Sequence, residues 1–195
     1  MDSWLTVAPP ETVHADSVRL RRWTRNDAEV LTVLVTENLD HLKPWMPWAN
    51  QAPSVAAERE FLDHSERAWA ELTDFGYAVT LPEGTAIGGI GLHTRQGPGT
   101  LEIGYWIAAA HCGKGYATAA SRALTNAAFA LPNVQRVEIR CDTANHASAA
   151  VPAKLGFQLV KQIDRQPSAP AESGRGLIWA VDKEGWLARF GTSRC

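Results

Sequence analysis

Apolar residues alternate with other residues along positions 101–107, and this pattern predicts a β-strand. The apolar positions are Leu101, Ile103, Tyr105 and Ile107. The intervening positions are Glu102, Gly104 and Trp106. Because successive side chains of a strand point to opposite faces of a sheet, the two sets define an apolar face and a mixed face. We take this strand as the centre of the fold.

A glycine-bracketed turn follows the strand and leads into a helix. The turn is Gly113-Lys114-Gly115, and from Tyr116 onward small and apolar residues recur at helical spacing. Their shared face contains Ala117, Ala120, Leu124, Ala127 and Ala128. The first N–H groups of a helix lack partners within the helix and lie at the positive end of its dipole. Strand, turn and helix therefore predict an anion-binding site, because glycines let a phosphate approach the backbone.

Two common phosphate-binding loops do not fit this turn. A P-loop needs Gly-x-x-x-x-Gly-Lys-Ser/Thr, but Ala108 stands five residues before Gly113, and Gly115 follows Lys114. The dinucleotide fingerprint needs a third glycine where Thr118 stands. The sequence thus keeps the anion-binding interpretation and excludes nucleotide hydrolysis by a P-loop.

Hydrophobic patterns elsewhere predict six more strands and several helices. The strands are expected at residues 18–22, 75–81, 86–93, 137–141, 157–163 and 177–181. The helices are expected to start near residues 26, 54, 116, 146 and 185. Only the strand–helix–strand unit around the central strand predicts a parallel crossover. The predicted fold class is therefore α+β, with a mixed, mostly antiparallel sheet of about seven strands.

Composition and charge limit the classes of function. The chain has 195 residues and a net charge of −2, which fits one domain and gives no basic surface for direct nucleic-acid binding. No apolar run approaches the roughly 18 residues of a membrane span, and the N-terminus lacks a signal-peptide pattern. Three cysteines without metal-ligand spacing favour a cytoplasmic protein without a metal.

The same features set the expected domain organisation. Residues 1–16 are punctuated by prolines and are expected to be irregular, and residues 17–195 to form a single domain. The eight tryptophans are compatible with a homodimer. The segment HLKPWMPW, residues 41–48, contains two prolines that exclude a regular helix. It is expected to be a stiff loop whose Trp45 and Trp48 either pack into the core or form an apolar wall over a binding site.

The strand and the glycine turn resemble motif A of the GNAT family of N-acetyltransferases. In that motif, Gln/Arg-x-x-Gly-x-Gly/Ala cradles the pyrophosphate of acetyl-CoA, and EIGYWI followed by CGKGYA matches it here. Cys112 occupies the Gln/Arg position, Gly115 the glycine and Ala117 the small residue. The cysteine removes one side-chain contact and leaves the backbone cradle intact. The resemblance covers about residues 17–182 and implies the GNAT fold, with helices on both faces of the sheet.

The segment DTANHASAAVPAKLGF, residues 142–157, resembles motif B of the RimJ/RimL-like branch of that family. Asn145 and Ser148 are spaced i, i+3, so both side chains can reach one ligand. On local grounds alone, Asn145 is an N-cap and Ser148 a tolerated small residue. In the resembling enzymes the asparagine holds the pantetheine or acyl region of CoA, and the serine is a candidate to protonate the thiolate. Pro152 departs from a regular helix, because it frees a carbonyl near Ser148.

Glu102 is a candidate general base. Its spacing alone describes a carboxylate on the surface of a strand. The resemblance implies more, since a glutamate in the EIGYW segment matches the position proposed to act as base, through water, in RimJ/RimL-like enzymes. The loop between the first two helices borders the substrate in those proteins. The resemblance therefore implies that Trp45 or Trp48 lines the amine site.

Together these residues predict an N-acetyltransferase that moves an acetyl group from acetyl-CoA to a primary amine, with a protein or peptide N-terminal α-amine as the preferred acceptor. The predicted catalytic residues are Glu102 and Ser148. The predicted cofactor-binding residues are Tyr105, Trp106, Ile107, Cys112, Gly113, Lys114, Gly115, Tyr116, Ala117, Thr118, Asn145 and Ser148. Two rivals stay open. One is a small-amine or antibiotic acetyltransferase, and the other is a non-catalytic acyl-CoA-binding module on the same fold.

Overall fold

Eight strands form one sheet in the computed structural model of the protein, which describes residues 4–191. In chain order the strands are β1 (Thr12–His14), β2 (Arg19–Arg22), β3 (Asp74–Thr80), β4 (Ala86–His93), β5 (Thr100–Ile107), β6 (Arg136–Asp142), β7 (Gln158–Asp164) and β8 (Arg175–Asp182). Their order across the sheet is β1-β2-β3-β4-β5-β6-β8-β7. All neighbours are antiparallel except β5 and β6, the pair on either side of the predicted crossover.

Within the described residues, six α-helices join these strands. They are α1 (Ala28–Glu37), α2 (Leu39–Leu42), α3 (Val55–Ala70), α4 (Tyr116–Ala130), α5 (His146–Leu155) and α6 (Lys183–Phe190). Short 3₁₀ turns lie at Arg25–Asp27, Pro47–Asn50 and Ala109–His111. Local signals explain several helix ends. Ser54 caps α3 by accepting the N–H of Ala57, and Gly156 ends α5 in a left-handed conformation.

The sheet carries helices on both faces, as predicted. The face of Leu101 and Ile103 packs against α4, α5 and α6 and holds the larger core. The opposite face packs against α1 and α3, where Leu31 and Leu62 cover Ala78. Burying apolar area on two sides of one sheet supplies most of the driving force for folding. The central strand β5 therefore lies between two helical layers.

The α+β class and the mostly antiparallel sheet are confirmed, with one strand more than predicted. The additional strand is β1, which lies inside residues 1–16, a segment expected to be irregular. Val13 pairs with Leu20 on β2, and the Tyr77 hydroxyl donates to the carbonyl of Pro10 at 2.9 Å. A strand of three residues is too short to show the alternation on which strand prediction depends, and pairing with β2 stabilises it.

Candidate active site

A gap opens beside β5 where its parallel pairing with β6 stops. The two strands pair from Thr100 opposite Arg136 to Ile103 opposite Ile139, and then separate. Residues 105–107 continue the strand with β4 alone as a paired neighbour. Their other edge therefore presents unpaired backbone polar groups to the gap. An extended chain such as the pantetheine arm of CoA can hydrogen-bond there, as the prediction for Tyr105, Trp106 and Ile107 requires.

The glycine turn lies between the end of β5 and the start of α4. Gly113 and Gly115 have φ angles of +75° and +84°, a left-handed conformation that glycine adopts without strain. The N–H of Ala119 bonds to the carbonyl of Gly115 at the start of α4. The N–H groups of residues 116–118 come before this bond and therefore have no acceptor within the helix. Among the described residues, nothing lies within 4 Å of the place where a Cβ would stand on either glycine. An anion has room against this backbone.

The remaining predicted cradle residues surround this turn. Lys114 is exposed at its tip, and Tyr116, Ala117 and Thr118 lie half-buried in the first turn of α4. A pyrophosphate seated on the N–H groups would be close to all of them. The residues therefore fit the cofactor, and the contacts of each side chain with it stay predictions.

Cys112, at the Gln/Arg position of motif A, is a protonated thiol. Its Sγ lies 3.5 Å from Nε2 of His41 and 3.6 Å from the carbonyl oxygen of Ile107. The imidazole near the sulfur belongs to His41 on α2, rather than to the adjacent His111. Although the residue is exposed as a whole, partial burial of the sulfur raises the pKa of Cys112 above its usual value. Because the thiolate is the reactive form, this cysteine is a poor nucleophile at neutral pH.

Ser148 lies on α5, where it is hydrogen-bonded to the central strand. The Tyr105 hydroxyl lies 2.9 Å from the carbonyl oxygen of Ser148 and 3.2 Å from its Oγ. In a regular helix that carbonyl accepts the N–H four residues later, but Pro152 stands there and has none. Burial raises the pKa of Tyr105 well above its usual range, so the phenol is protonated and donates. Tyr105 thus replaces the missing helical donor and fixes Ser148 beside the gap.

Asn145 caps α5, as its local sequence indicated. Its Oδ1 accepts the N–H of Ser148 at 3.0 Å. Its Nδ2 amide has no hydrogen-bond acceptor among residues 4–191. An amide at this place can donate to a carbonyl of the pantetheine arm. The cap and the ligand contact are therefore compatible, and the contact with CoA stays a prediction.

Asp142 fixes the turn that leads from β6 to Asn145. Its Oδ1 accepts the N–H of Ala144 at 2.9 Å, and it accepts both the N–H and the hydroxyl of Ser173. Burial opposes ionisation of this carboxyl, but the hydrogen bonds outweigh it and lower the pKa of Asp142 to about 2. The carboxylate joins the start of α5 to the loop between β7 and β8.

Glu102 is buried and paired, in contrast to the surface carboxylate that its spacing describes. The Arg95 guanidinium donates to both carboxylate oxygens, and the Gln96 amide donates to Oε2. Only 5% of the residue is exposed. Burial opposes ionisation, but the Arg95 hydrogen bonds and charge outweigh it, so the pKa of Glu102 falls below its usual value. A carboxylate with these partners is a weak proton acceptor, and its predicted role as base stays a prediction.

His93 and Asp74 lie next to Glu102 on the same face of the sheet. His93 pairs directly with Glu102 across β4 and β5, and with Asp74 across β3 and β4. The Asp74 Oδ2 lies 2.6 Å from Nδ1 of His93. The imidazole extends over the backbone of Gly91 and Gly104, with Nε2 3.3 and 3.2 Å from the places where their Cβ atoms would stand. A histidine–carboxylate pair therefore lies beside the start of the gap.

Two loops form the walls above this face, and they contact each other. The N–H of Ala171, between β7 and β8, donates to the carbonyl of Pro44 at 3.0 Å. Trp48 is half-exposed, with its ring centroid 5.9 Å from that of Trp106 on β5. Trp45 is half-buried in the same segment. The structure places Trp48 beside the central strand, and acceptor binding by either indole stays a prediction.

Sequence reasoning missed four residues of this region. Asp74, His93 and Arg95 come from β3, β4 and the turn before β5, and their proximity follows from strand register. Asn38 accepts the N–H of Ala109 at 2.8 Å and so ties the end of α1 to the segment after β5. One available signal was the glycine-rich pattern of β4, which indicated a close approach. The pattern could not show that the approaching group is an imidazole.

Within residues 4–191, no three His, Cys, Asp or Glu side chains are grouped so that they could hold a metal ion. Over the same residues, no helix combines the length and the apolar character that crossing a bilayer requires.

The amino-acid sequence matches known proteins over most of its length. A profile of the acetyltransferase (GNAT) domain matches residues 17–158. YdaF of Bacillus subtilis strain 168, whose name proposes a ribosomal N-acetyltransferase, is 35% identical over 144 residues. That alignment covers 73% of this chain and 78% of YdaF.

Two solved structures have the same fold. One is described as a probable acetyltransferase and is 29% identical, with a TM-score of 0.82 over 90% of this chain and 98% of that one. The other is RimJ of Mycobacterium smegmatis, solved in complex with a CoA disulfide, which is 23% identical. Its TM-score is also 0.82, over 91% of each chain. At that identity the likeness to RimJ shows the fold alone.

Proposed function

Because this chain belongs to the GNAT family of acetyltransferases, we propose that it transfers the acetyl group of acetyl-CoA to the N-terminal α-amine of a protein or peptide. The observation that carries the proposal is the gap between β5 and β6, which opens after Ile103 and leads to the glycine turn at α4. One continuous path therefore offers free strand edges to the pantetheine arm and free helix N–H groups to the pyrophosphate.

The backbone around the gap would bind and orient the co-substrate. The N–H groups of residues 113–118 would hold the pyrophosphate, and Lys114 would add positive charge. The edge of residues 105–107 would hydrogen-bond the pantetheine arm, and an N–H there would polarise the thioester carbonyl. Asn145 would donate its amide to the same arm. Acetyl-CoA supplies the activated acyl group, and the protein supplies its position.

Ser148 would supply the proton that the departing sulfur needs. Its Oγ lies on α5, next to the hydroxyl of Tyr105 and therefore beside the open edge of β5. When the amine nitrogen bonds to the carbonyl carbon and the carbon–sulfur bond breaks, the thiolate is stabilised by a nearby hydroxyl donor. The hydrogen bonds to Tyr105 and Asn145 hold that donor in place.

Two observations favour an N-terminal α-amine over a polycationic small amine. We call the face of the sheet that carries Glu102, Gly104 and Trp106 the acceptor face. Its carboxylates on β3 and β5 are already paired, Asp74 with His93 and Glu102 with Arg95. A polycation needs carboxylates that are free to pair with it. The name of YdaF, the relative that is 35% identical, also proposes a ribosomal protein as acceptor. Ribosomal proteins are made in the cytoplasm, so the proposal includes a cytoplasmic location.

An acceptor panel tests this function. Purified protein and acetyl-CoA are mixed with peptides that have a free N-terminus, with the same peptides blocked at the N-terminus but containing lysine, with polyamines and with aminoglycosides. Thiol release is measured for each. We expect the highest kcat/KM for the free N-terminal peptides. Faster turnover of polyamines or aminoglycosides would establish the small-amine rival, and binding of acetyl-CoA without turnover of any amine would establish the non-catalytic one.

A further inference from the structure

Three glycines lie side by side across the centre of the sheet, so the strands themselves contribute no side chains to this row of the acceptor face. Gly76 on β3 pairs with Gly91 on β4, which pairs with Gly104 on β5. The indole of Trp106 covers the next position along the strands, Gly89, where a Cβ would stand 2.7 Å from its Nε1. Ser65 covers Gly76, with its Oγ 3.2 Å from the Cβ position there, so the bare backbone floor consists of Gly91 and Gly104 and lies between Trp106 and His93.

The imidazole of His93 extends over this floor because the glycines leave room for it. Its Nε2 stands 3.2 Å from the Cβ position of Gly104 and 3.3 Å from that of Gly91, closer than an ordinary side-chain contact. Gly104 is the first residue of β5 after the last pair with β6. The Nε2 atom therefore lies where the gap begins, beside the backbone that would bind the thioester.

Asp74 determines which nitrogen of His93 can accept a proton. An ionised carboxylate only accepts hydrogen bonds, so the 2.6 Å contact with Asp74 requires the proton to be on Nδ1. The lone pair of the neutral ring is then on Nε2. With 20% of the His93 side chain exposed, the ring is held between the strands and still open to an acceptor.

His93 and Ser148 approach β5 from opposite faces. His93 shares the face of Glu102, Gly104 and Trp106, whereas Tyr105 points to the other face and contacts Ser148. A thioester in the gap between β5 and β6 would thus have a proton acceptor on one side and a hydroxyl donor on the other. Acyl transfer to an amine needs this separation, because one proton leaves the nitrogen and another reaches the sulfur.

We propose that His93 accepts the proton of the attacking amine, with Asp74 as the positioning residue that holds the proton of the neutral ring on Nδ1 and so leaves the lone pair on Nε2. As the neutral amine forms the carbon–nitrogen bond, its proton moves to Nε2 and from there to solvent. The carbon–sulfur bond breaks, the thiolate takes the hydroxyl proton of Ser148, and solvent returns a proton to the serine. This step rests on the proposed acetyl transfer. Glu102 then has a supporting role, in which it holds Arg95 and Gln96 at the edge of the floor.

Three charged groups lie around His93. Asp74 faces it from β3, Glu102 from β5, and Arg95, from the turn between β4 and β5, neutralises Glu102. If His93 takes the proton, kcat at saturating amine must fall on the acidic side as the imidazole becomes protonated. That limb of the pH profile should disappear when His93 is replaced.

The variant that tests the step is His93→Gln, compared with wild type and with His64→Gln as a matched control at an exposed position on α3. We expect His93→Gln to lower kcat by about 10²-fold or more and to remove the acidic limb. We expect it to leave the thermal stabilisation by acetyl-CoA unchanged. His64→Gln should match wild type in all three measurements. Turnover of His93→Gln within about threefold of wild type would overturn the step and leave acetyl transfer standing.

A measurement on the wild-type protein is independent of turnover. Nitrogen-15 NMR of the labelled histidines reports which ring nitrogen carries the proton. We expect His93 as the Nδ1–H tautomer, and we expect Asp74→Asn, whose amide can donate to Nδ1, to change it to the Nε2–H tautomer and to lower kcat. A wild-type His93 found as the Nε2–H tautomer would overturn the proposal, even in an active enzyme.

Discussion

The hydroxyl of Tyr105 donates to the carbonyl of Ser148 at 2.9 Å, the carbonyl that Pro152 leaves without its helical partner. A proline in a helix usually costs stability because one backbone acceptor loses its hydrogen bond. Here the central strand supplies the donor instead. The defect in α5 therefore becomes a link between the strand that would hold acetyl-CoA and the serine that would face its sulfur.

A double-mutant cycle tests this link. Tyr105→Phe leaves the Ser148 carbonyl without a donor, so we expect a loss of about 1–3 kcal/mol in the free energy of unfolding. Pro152→Ala restores a backbone N–H four residues after Ser148. In the Pro152→Ala background, Tyr105→Phe should therefore cost much less, which urea denaturation of the four proteins would show. Equal costs in the two backgrounds would mean that the phenol does not replace the helical donor.

Two glycine substitutions should have the same effect on stability but different effects on the binding of CoA. Gly115→Ala introduces a side chain at a φ of +84° and places a methyl group where the anion would approach. Gly84→Ala, in the turn between β3 and β4, introduces similar strain at +101° and also meets no atom within 4 Å. Both should lose about 1–2 kcal/mol of stability. We expect only Gly115→Ala to raise the Kd for CoA, by about tenfold, as measured by calorimetry. Equal affinities for the two variants would argue against the cradle.

Trp48 should contribute to binding the acceptor and not the co-substrate. Its indole is 50% exposed and contacts Trp106, so an acceptor side chain can cover it. Loss of roughly 1.5 kcal/mol of apolar contact in Trp48→Ala corresponds to about a tenfold rise in KM for a peptide. Phe61→Ala, at a residue with 51% exposure on α3, is the matched control. Steady-state kinetics that show an unchanged peptide KM in Trp48→Ala would remove the indole from the acceptor site.

The lowered pKa of Asp142 predicts how the free energy of unfolding depends on pH. Its pKa of about 2 in the folded protein is below the ordinary value of about 3.9. A carboxyl with a lowered pKa stabilises the fold above its ordinary pKa, and this contribution is lost as the pH falls toward the folded value. Wild type should therefore exceed Asp142→Asn in stability at pH 7, and the difference should narrow between about pH 4 and pH 2. Urea midpoints measured across that range would test this, and a constant difference would contradict it.

The fold was predictable because its signals are local. Alternation or apolar runs bounded by turn residues identified the seven longer strands, and the glycine turn with the helix after it identified the parallel crossover at β5. The strand β1 was not predictable, because its three residues are stable only when Val13 pairs with Leu20. Its formation depends on β2 rather than on its own pattern.

The site was predictable only where one segment carries it. The glycine turn and the Asn145–Ser148 pair lie within single stretches of sequence, so their spacing can be read directly. His93 and Asp74 are 19 residues apart and meet through the register of β3 and β4, which no spacing rule gives. The partners of Glu102 are likewise set by the turn after β4. The alternation that placed Glu102 on a strand gave no information about its burial or its hydrogen-bond partners.

The central claim is that the gap beside β5 and the glycine turn hold acetyl-CoA, and thermal unfolding tests it most directly. The unfolding midpoint is measured alone and with acetyl-CoA, CoA, ATP or NAD. At about 100 times the Kd, binding adds roughly 2.7 kcal/mol, or on the order of 5–11 °C for a domain of this size. The account predicts such a rise with acetyl-CoA and CoA, and a much smaller one with ATP and NAD. An unchanged midpoint at saturating acetyl-CoA would contradict it.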